Sequence, residues 1–101
     1  MKKVFISQPM VDKTDEEIKA VRNKIIEEIR ACVDDDVEVI DSFFEGAPHN
    51  AKPLWFLGKS LQLLSNADIA YFAKGWEKYR GCRIEYECAV EYGLTVMEEK
   101  Q

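Results

Sequence analysis

Histidine occurs once in this chain, at His49, and cysteine three times, at Cys32, Cys82 and Cys88, without a CxxC pair. A structural zinc site needs about four such ligands at close spacing, so no metal site is expected. An odd cysteine count without framework spacing excludes a disulfide scaffold and fits a reducing, cytoplasmic setting. Basic clusters are missing as well. The formal charge is −5, which argues against a nucleic-acid polymer as partner, because such binding rests on neutralising phosphates. No apolar run approaches the ~20 residues that cross a bilayer. Met1-Lys2-Lys3 leads into a strand pattern rather than a signal-peptide core, so no membrane association is expected. Neither a Walker A loop nor a GxGxxG loop occurs, and there is no internal repeat.

What is present is a globular composition. A length of 101 residues with 47% hydrophobic content argues against disorder and suits one domain spanning residues 1–101. A domain this short leaves little core to spare, so association into a homodimer or higher homo-oligomer is expected.

Residues 3–7, Lys-Val-Phe-Ile-Ser, form a β-branched and aromatic run that ends at Gln8-Pro9 and reads as a buried first strand. Thr14 and Glu17 have capping-box spacing, and Ile18, Val21, Ile25, Ile29 and Cys32 then recur as the inner stripe of a helix reaching Val33. Asp34-Asp35-Asp36 reads as a solvated turn, since it lacks calcium-loop spacing. Residues 36–41 alternate as a second, edge-type strand, and residues 42–52 form a loop. Pro53 suits the first turn of a second helix with Leu54, Leu57, Leu61 and Leu64 as its inner stripe. Trp55, Phe56 and Leu63 lie elsewhere around that helix, which points to a second packing partner such as another copy. A third strand at residues 68–73, a loop, a third helix with Gly93 as its C-cap, and a fourth strand at residues 94–97 complete the chain.

The order β-α-β-α-β-α-β implies a parallel sheet with right-handed crossovers. The expected fold is α/β: a small flavodoxin-like or Rossmann-like three-layer domain. Its four strands should run 2-1-3-4, with helices on both faces. The switch point then falls between strands 1 and 3, where ligands of such sheets bind. A receiver-type domain is excluded, because Ser7-Gln8 and Ala73-Lys74 stand where its carboxylates would be.

One acidic residue breaks the pattern of the third helix. Projected at about 100° per residue from Cys82 to Gly93, Arg83, Glu87 and Glu91 share a narrow polar arc. Glu85 instead lands in the middle of the apolar arc, near the helix start. A carboxylate on a core-facing stripe is costly unless bonded, paired or solvated in a cleft. Two readings follow: a capping carboxylate or structural ion pair with Arg80 or Arg83, and a functional group facing a pocket at the sheet edge. Cys82 could gain thiolate character near a helix N-terminus, but with no histidine nearby it reads as a buried small residue.

Gly75-Trp76-Glu77, Arg80-Gly81-Cys82-Arg83-Ile84-Glu85, Ala89 and Gly93, together with Ile6-Ser7-Gln8-Pro9-Met10, carry a resemblance. At these positions the chain resembles the nucleoside 2-deoxyribosyltransferase-like proteins, especially their small bacterial and phage branch, over about residues 3–97. The resemblance implies that Glu85 attacks C1′ of a deoxyribonucleoside or its 5′-monophosphate, after which the glycosyl group passes to another base or to water. It implies substrate contacts from Phe5, Ser7, Gln8, Pro9, Met10, Ser60, Gly75, Trp76, Arg80, Gly81 and Arg83, with the two arginines meeting a 5′-phosphate; for Trp76 the alternative is that it only shields the loop. It implies no cofactor, and a pocket completed by a neighbouring subunit. A helix N-terminus would keep Glu85 ionised.

The chain also departs from that family. Phe5 stands where relatives carry a tyrosine, Gln8 where they carry a glycine, and Tyr79 where they carry a serine. Ser60 aligns with the aspartate that assists the departing base, leaving Asp41, Glu45 or His49 as substitutes. The alternatives are therefore a nucleotide-binding or sensing module without turnover, and a NAD-glycohydrolase-like enzyme.

Overall fold

The computed structural model describes residues 1–9, 13–33, 36–41 and 49–99. The chain runs β1 (Lys2–Ser7), α1 (Asp15–Cys32), β2 (Val37–Val39), α2 (Pro53–Leu64), β3 (Ile69–Phe72), a 3-10 turn (Trp76–Lys78), α3 (Arg80–Glu91) and β4 (Thr95–Glu98). The four strands form one sheet in the order β2-β1-β3-β4, and every pairing is parallel. This is the α/β three-layer arrangement expected from the element order.

Strand alternation sorts the core into two clusters. Val4 and Ile6 of β1, with Ile69 and Tyr71 of β3, pack against Ile25 and Ile29 of α1. Phe5, Ala70 and Phe72 point the other way, toward Leu64 of α2 and Ala89 of α3. Successive side chains of a strand face opposite sides, so Ser7 lies on the α2/α3 face with Phe5. The four residues of β3 are all buried, as a central parallel strand covered on both faces requires.

Thr14 opens α1 with a full capping box, its hydroxyl accepting from the Glu17 N–H at 3.1 Å. The inner stripe is Ile18, Arg22, Ile25 and Ile29. Val21 and Cys32, expected on that stripe, are exposed. Arg22 takes the inward position because its stem can pack while its head is satisfied, donating from Nη2 to the Ile40 carbonyl at 2.6 Å. Burial lowers the Arg22 pKa, partly countered by Asp41.

The edge strand β2 is shorter than the alternation of residues 36–41 implied. Of the acidic turn and the loop after β2, residues 34–35 and 42–48 lie outside the described residues. Pro53 does occupy the first turn of α2, but Leu54 is 75% exposed rather than inward. Leu64 is the buried anchor of this helix, with Leu61 and Leu63 leaning on the same cluster. Among the described residues, no helix is long and apolar enough to cross a membrane.

The end of α3 is a Schellman closure. Tyr92 is the C-cap and Gly93, one residue beyond, adopts φ +76°. The Leu94 N–H bonds the Ala89 carbonyl at 2.9 Å and the Gly93 N–H bonds the Val90 carbonyl at 3.2 Å. Two glycine-to-alanine substitutions should therefore have opposite signs. Gly93→Ala places a Cβ in the left-handed region and should destabilise by about 1 kcal/mol, lowering Tm by roughly 4–8 °C. Gly58→Ala lies within α2 with open space around its Cβ, so helix propensity should raise Tm. Thermal melts of both variants check the pair.

Candidate active site

Helix α3 starts at Arg80, two residues before the apolar periodicity begins. Its inward stripe is Cys82, Glu85 and Ala89. Glu85 thus sits on the second turn, beyond the reach of the unpaired first-turn N–H groups. The helix dipole expected to hold its charge is not what stabilises it.

The carboxylate meets side chains from two other elements. Ser7, the last residue of β1, donates from Oγ to Glu85 Oε1 at 2.6 Å in a buried setting. The Ser60 hydroxyl of α2 lies near enough to ease the ionisation of Glu85. Glu85 is 7% exposed. Burial pushes its pKa up, and the two hydroxyls pull it back down. Among the described residues, no lysine, arginine or histidine pairs with it; the ion pair described is Lys24 with Glu99. The expected structural pair with Arg80 or Arg83 is therefore absent. The group stands at the carboxyl end of β1, beside the switch point between β1 and β3.

Cys82, one turn before Glu85, is buried beside it on the same inward stripe. Burial pushes its thiol up to about 11, with Glu85 adding to that rise and Arg83 opposing it. It is not a neutral-pH nucleophile. Its burial agrees with the sequence reading of a buried small residue, and its i, i+3 spacing on the inward stripe puts it beside Glu85.

Gln8 turns toward α1, donating from Nε2 to the Ile18 carbonyl at 3.1 Å. Its buried Oε1 has no partner among the described residues. Pro9 is buried next to it, and Met10 lies outside the described residues.

The other expected contacts do not converge on the carboxylate. Phe5 is 1% exposed and belongs to the core cluster, so its ring packs rather than meeting a ligand. Trp76 stacks on Tyr86 at 4.3 Å and 12°, tilts against Phe72, and donates its indole N–H to Glu98 at 3.0 Å. That closes the loop over the core rather than offering a free platform. Arg83 is exposed and donates from Nη1 to the Glu77 carbonyl at 3.0 Å. At about 100° per residue it lies roughly 160° around α3 from Glu85, which removes it from a phosphate cradle there. Arg80 is exposed at the first position of the helix, Gly75 opens the 3-10 turn at φ +87°, and Gly81 sits in the first turn of α3.

Of the three residues considered as substitute acids, Asp41 and His49 are exposed and Glu45 lies outside the described residues. A groove of about 340 Å³ is lined by Lys19, Arg22, Ile26, Val39 and Asp41, between α1 and β2; of the residues considered as substitute acids it takes in Asp41, and Glu85 does not line it. Compared with known protein families, curated proteins and solved structures, the chain shows no match.

Two outcomes follow from the cluster. Glu85 binds its proton more tightly folded than unfolded, so its contribution to stability is complete below its ordinary pKa of 4.5 and is lost as pH rises through the folded value. Glu85→Gln removes that loss. Relative to the parent, its Tm should rise as pH goes from 4.5 to neutrality; a pH-independent difference contradicts the desolvation. In native-state alkylation read by mass spectrometry, exposed Cys32 should label readily and Cys82 only after denaturation.

Proposed function

We propose that this chain is an enzyme of the N-glycosidic bond, a nucleoside or nucleotide 2-deoxyribosyltransferase or hydrolase, with Glu85 as nucleophile. The observation that carries the reading is a buried carboxylate at the carboxyl end of β1, held by the Ser7 hydroxyl at 2.6 Å and free of any counter-cation among the described residues. A carboxylate so placed is stripped of water, oriented by donors on rigid elements, and available to attack a sugar carbon. A glycosyl ester would form on Glu85 and pass to water or to an acceptor base, two displacements that together retain the anomeric configuration. The hydroxyls favour the ionised form that attack requires, against the burial that opposes it.

A second reading, a nucleotide-binding module without turnover, is supported by Ser60. Its hydroxyl is engaged with Glu85 rather than set as an acid for a departing base. Either reading includes cytoplasmic residence and a homodimer or larger homo-oligomer. The exposed Leu54 and Phe56 of α2 support the latter.

The deciding experiment is chromatography of deoxynucleosides, their 5′-monophosphates and NAD after incubation with the protein, with and without an acceptor base. Base release by the parent should fall by on the order of a thousandfold or more in Glu85→Gln. Saturable binding by both proteins with no product would replace the enzyme with the module.

A further inference from the structure

We infer that the site at Glu85 takes N-glycosides whose base carries a positive charge, of the pyridinium or N-alkylated purine class, in preference to neutral nucleosides. The inference rests on the reading of Glu85 as the group that meets the glycosyl carbon. Two separate features of the cluster support it.

The first is charge. A carboxylate 93% removed from solvent needs compensation, and among the described residues it receives the Ser7 hydroxyl, with Ser60 also easing its ionisation, and no cation. The cations nearest in sequence are turned elsewhere, Arg83 onto the Glu77 carbonyl and Arg80 into solvent. A ligand bringing its own positive charge supplies the missing partner, and an overall charge of −5 favours its approach. A neutral nucleoside would leave the carboxylate uncompensated.

The second feature is the supply of protons. A neutral base leaves as an anion unless an acid protonates it. Among the described residues, the polar side chains beside Glu85 are the hydroxyls of Ser7 and Ser60 and the thiol of Cys82. None of these is an acid at neutral pH. Several nearby carboxylates of the described residues are committed elsewhere: Glu98 to Trp76, Glu99 to Lys24 and the Lys74 N–H. Glu87 and Glu91 lie on the exposed arc of α3.

A cationic base removes the need for an acid. The Glu85 carboxylate forms a bond to C1′ as the C1′–N bond breaks, and the bonding pair neutralises the positive nitrogen. The base departs neutral and unprotonated. Water then attacks C1′ of the glycosyl ester, Glu85 leaves as carboxylate, and one proton passes to solvent.

Matched pairs test the inference: nicotinamide riboside against its neutral dihydro form, and 7-methyl-2′-deoxyguanosine against 2′-deoxyguanosine. Calorimetric affinity and base release, corrected for spontaneous cleavage, are measured for the parent and for Glu85→Gln. The expected result is at least a tenfold preference of the parent for the charged member of each pair. That preference should collapse toward unity in Glu85→Gln. Equal Glu85-dependent cleavage of charged and neutral members overturns the inference and leaves the enzyme reading intact. A Glu85-dependent binding preference without base release supports the inference and overturns the enzyme reading. No preference in either protein overturns the inference whatever the turnover. Ser60→Asp, which places a second carboxyl beside Glu85 and so creates a protonated acid, should shift cleavage toward the neutral members; an unchanged ratio counts against the proton-supply argument. Should that variant fail to fold, the matched pairs on the parent still decide.

Discussion

The contact on which the site depends is the hydrogen bond between Ser7 and Glu85, which joins the end of β1 to the second turn of α3 across 78 positions of sequence. A carboxylate in that position would oppose folding if left bare, because desolvation disfavours its charged form. The Ser7 and Ser60 hydroxyls offset part of that penalty without cancelling the charge. The result is a buried carboxyl group held by a neutral donor, which differs in kind from a buried salt bridge. A salt bridge pairs such a charge with a cation of the protein, and among the described residues Glu85 has no such partner.

The fold supplies that geometry through simple periodicities. Alternation along β1 sends Val4 and Ile6 to α1, and Phe5 and Ser7 to the α2/α3 face. The three- and four-residue spacing of α3 aligns Cys82, Glu85 and Ala89 inward. Ala89 packs deep against the sheet while Glu85, a turn nearer the helix start, reaches the last residue of β1. Trp76, Tyr86 and Phe72 form an aromatic wedge that fixes the loop leading into α3. Arg83 ties the same loop from outside through the Glu77 carbonyl. These contacts make the mount rigid, which a reacting carboxylate needs more than it needs additional polar neighbours.

Much of this was readable before any coordinates. The apolar runs, Thr14 with Glu17, Pro53 and Gly93 mark elements whose local chemistry has few alternatives, and the structure places those elements accordingly. Glu85 declared itself as the one acid on an apolar stripe. The misreadings share a cause. Val21, Cys32 and Leu54 were assigned inward because they are apolar, but a 3.6-residue period leaves two or three candidates near each boundary of the stripe. Packing then selected Arg22, whose head group could reach the Ile40 carbonyl. Trp76 and Arg83 carried ligand roles by resemblance. Their partners, Tyr86, Glu98 and the Glu77 carbonyl, emerge only once the loop has closed.

The order of strands, the caps and the inward placement of Glu85 follow from sequence alone, because each depends on residues within a few turns of one another or on a handedness rule common to all such chains. What only the tertiary structure decided is the company that Glu85 keeps. Ser7 and Ser60 lie on β1 and α2, far from Glu85 in sequence, and no local spacing says whether an arginine or a hydroxyl will reach the carboxylate first. Long-range packing settled that in favour of the Ser7 hydroxyl.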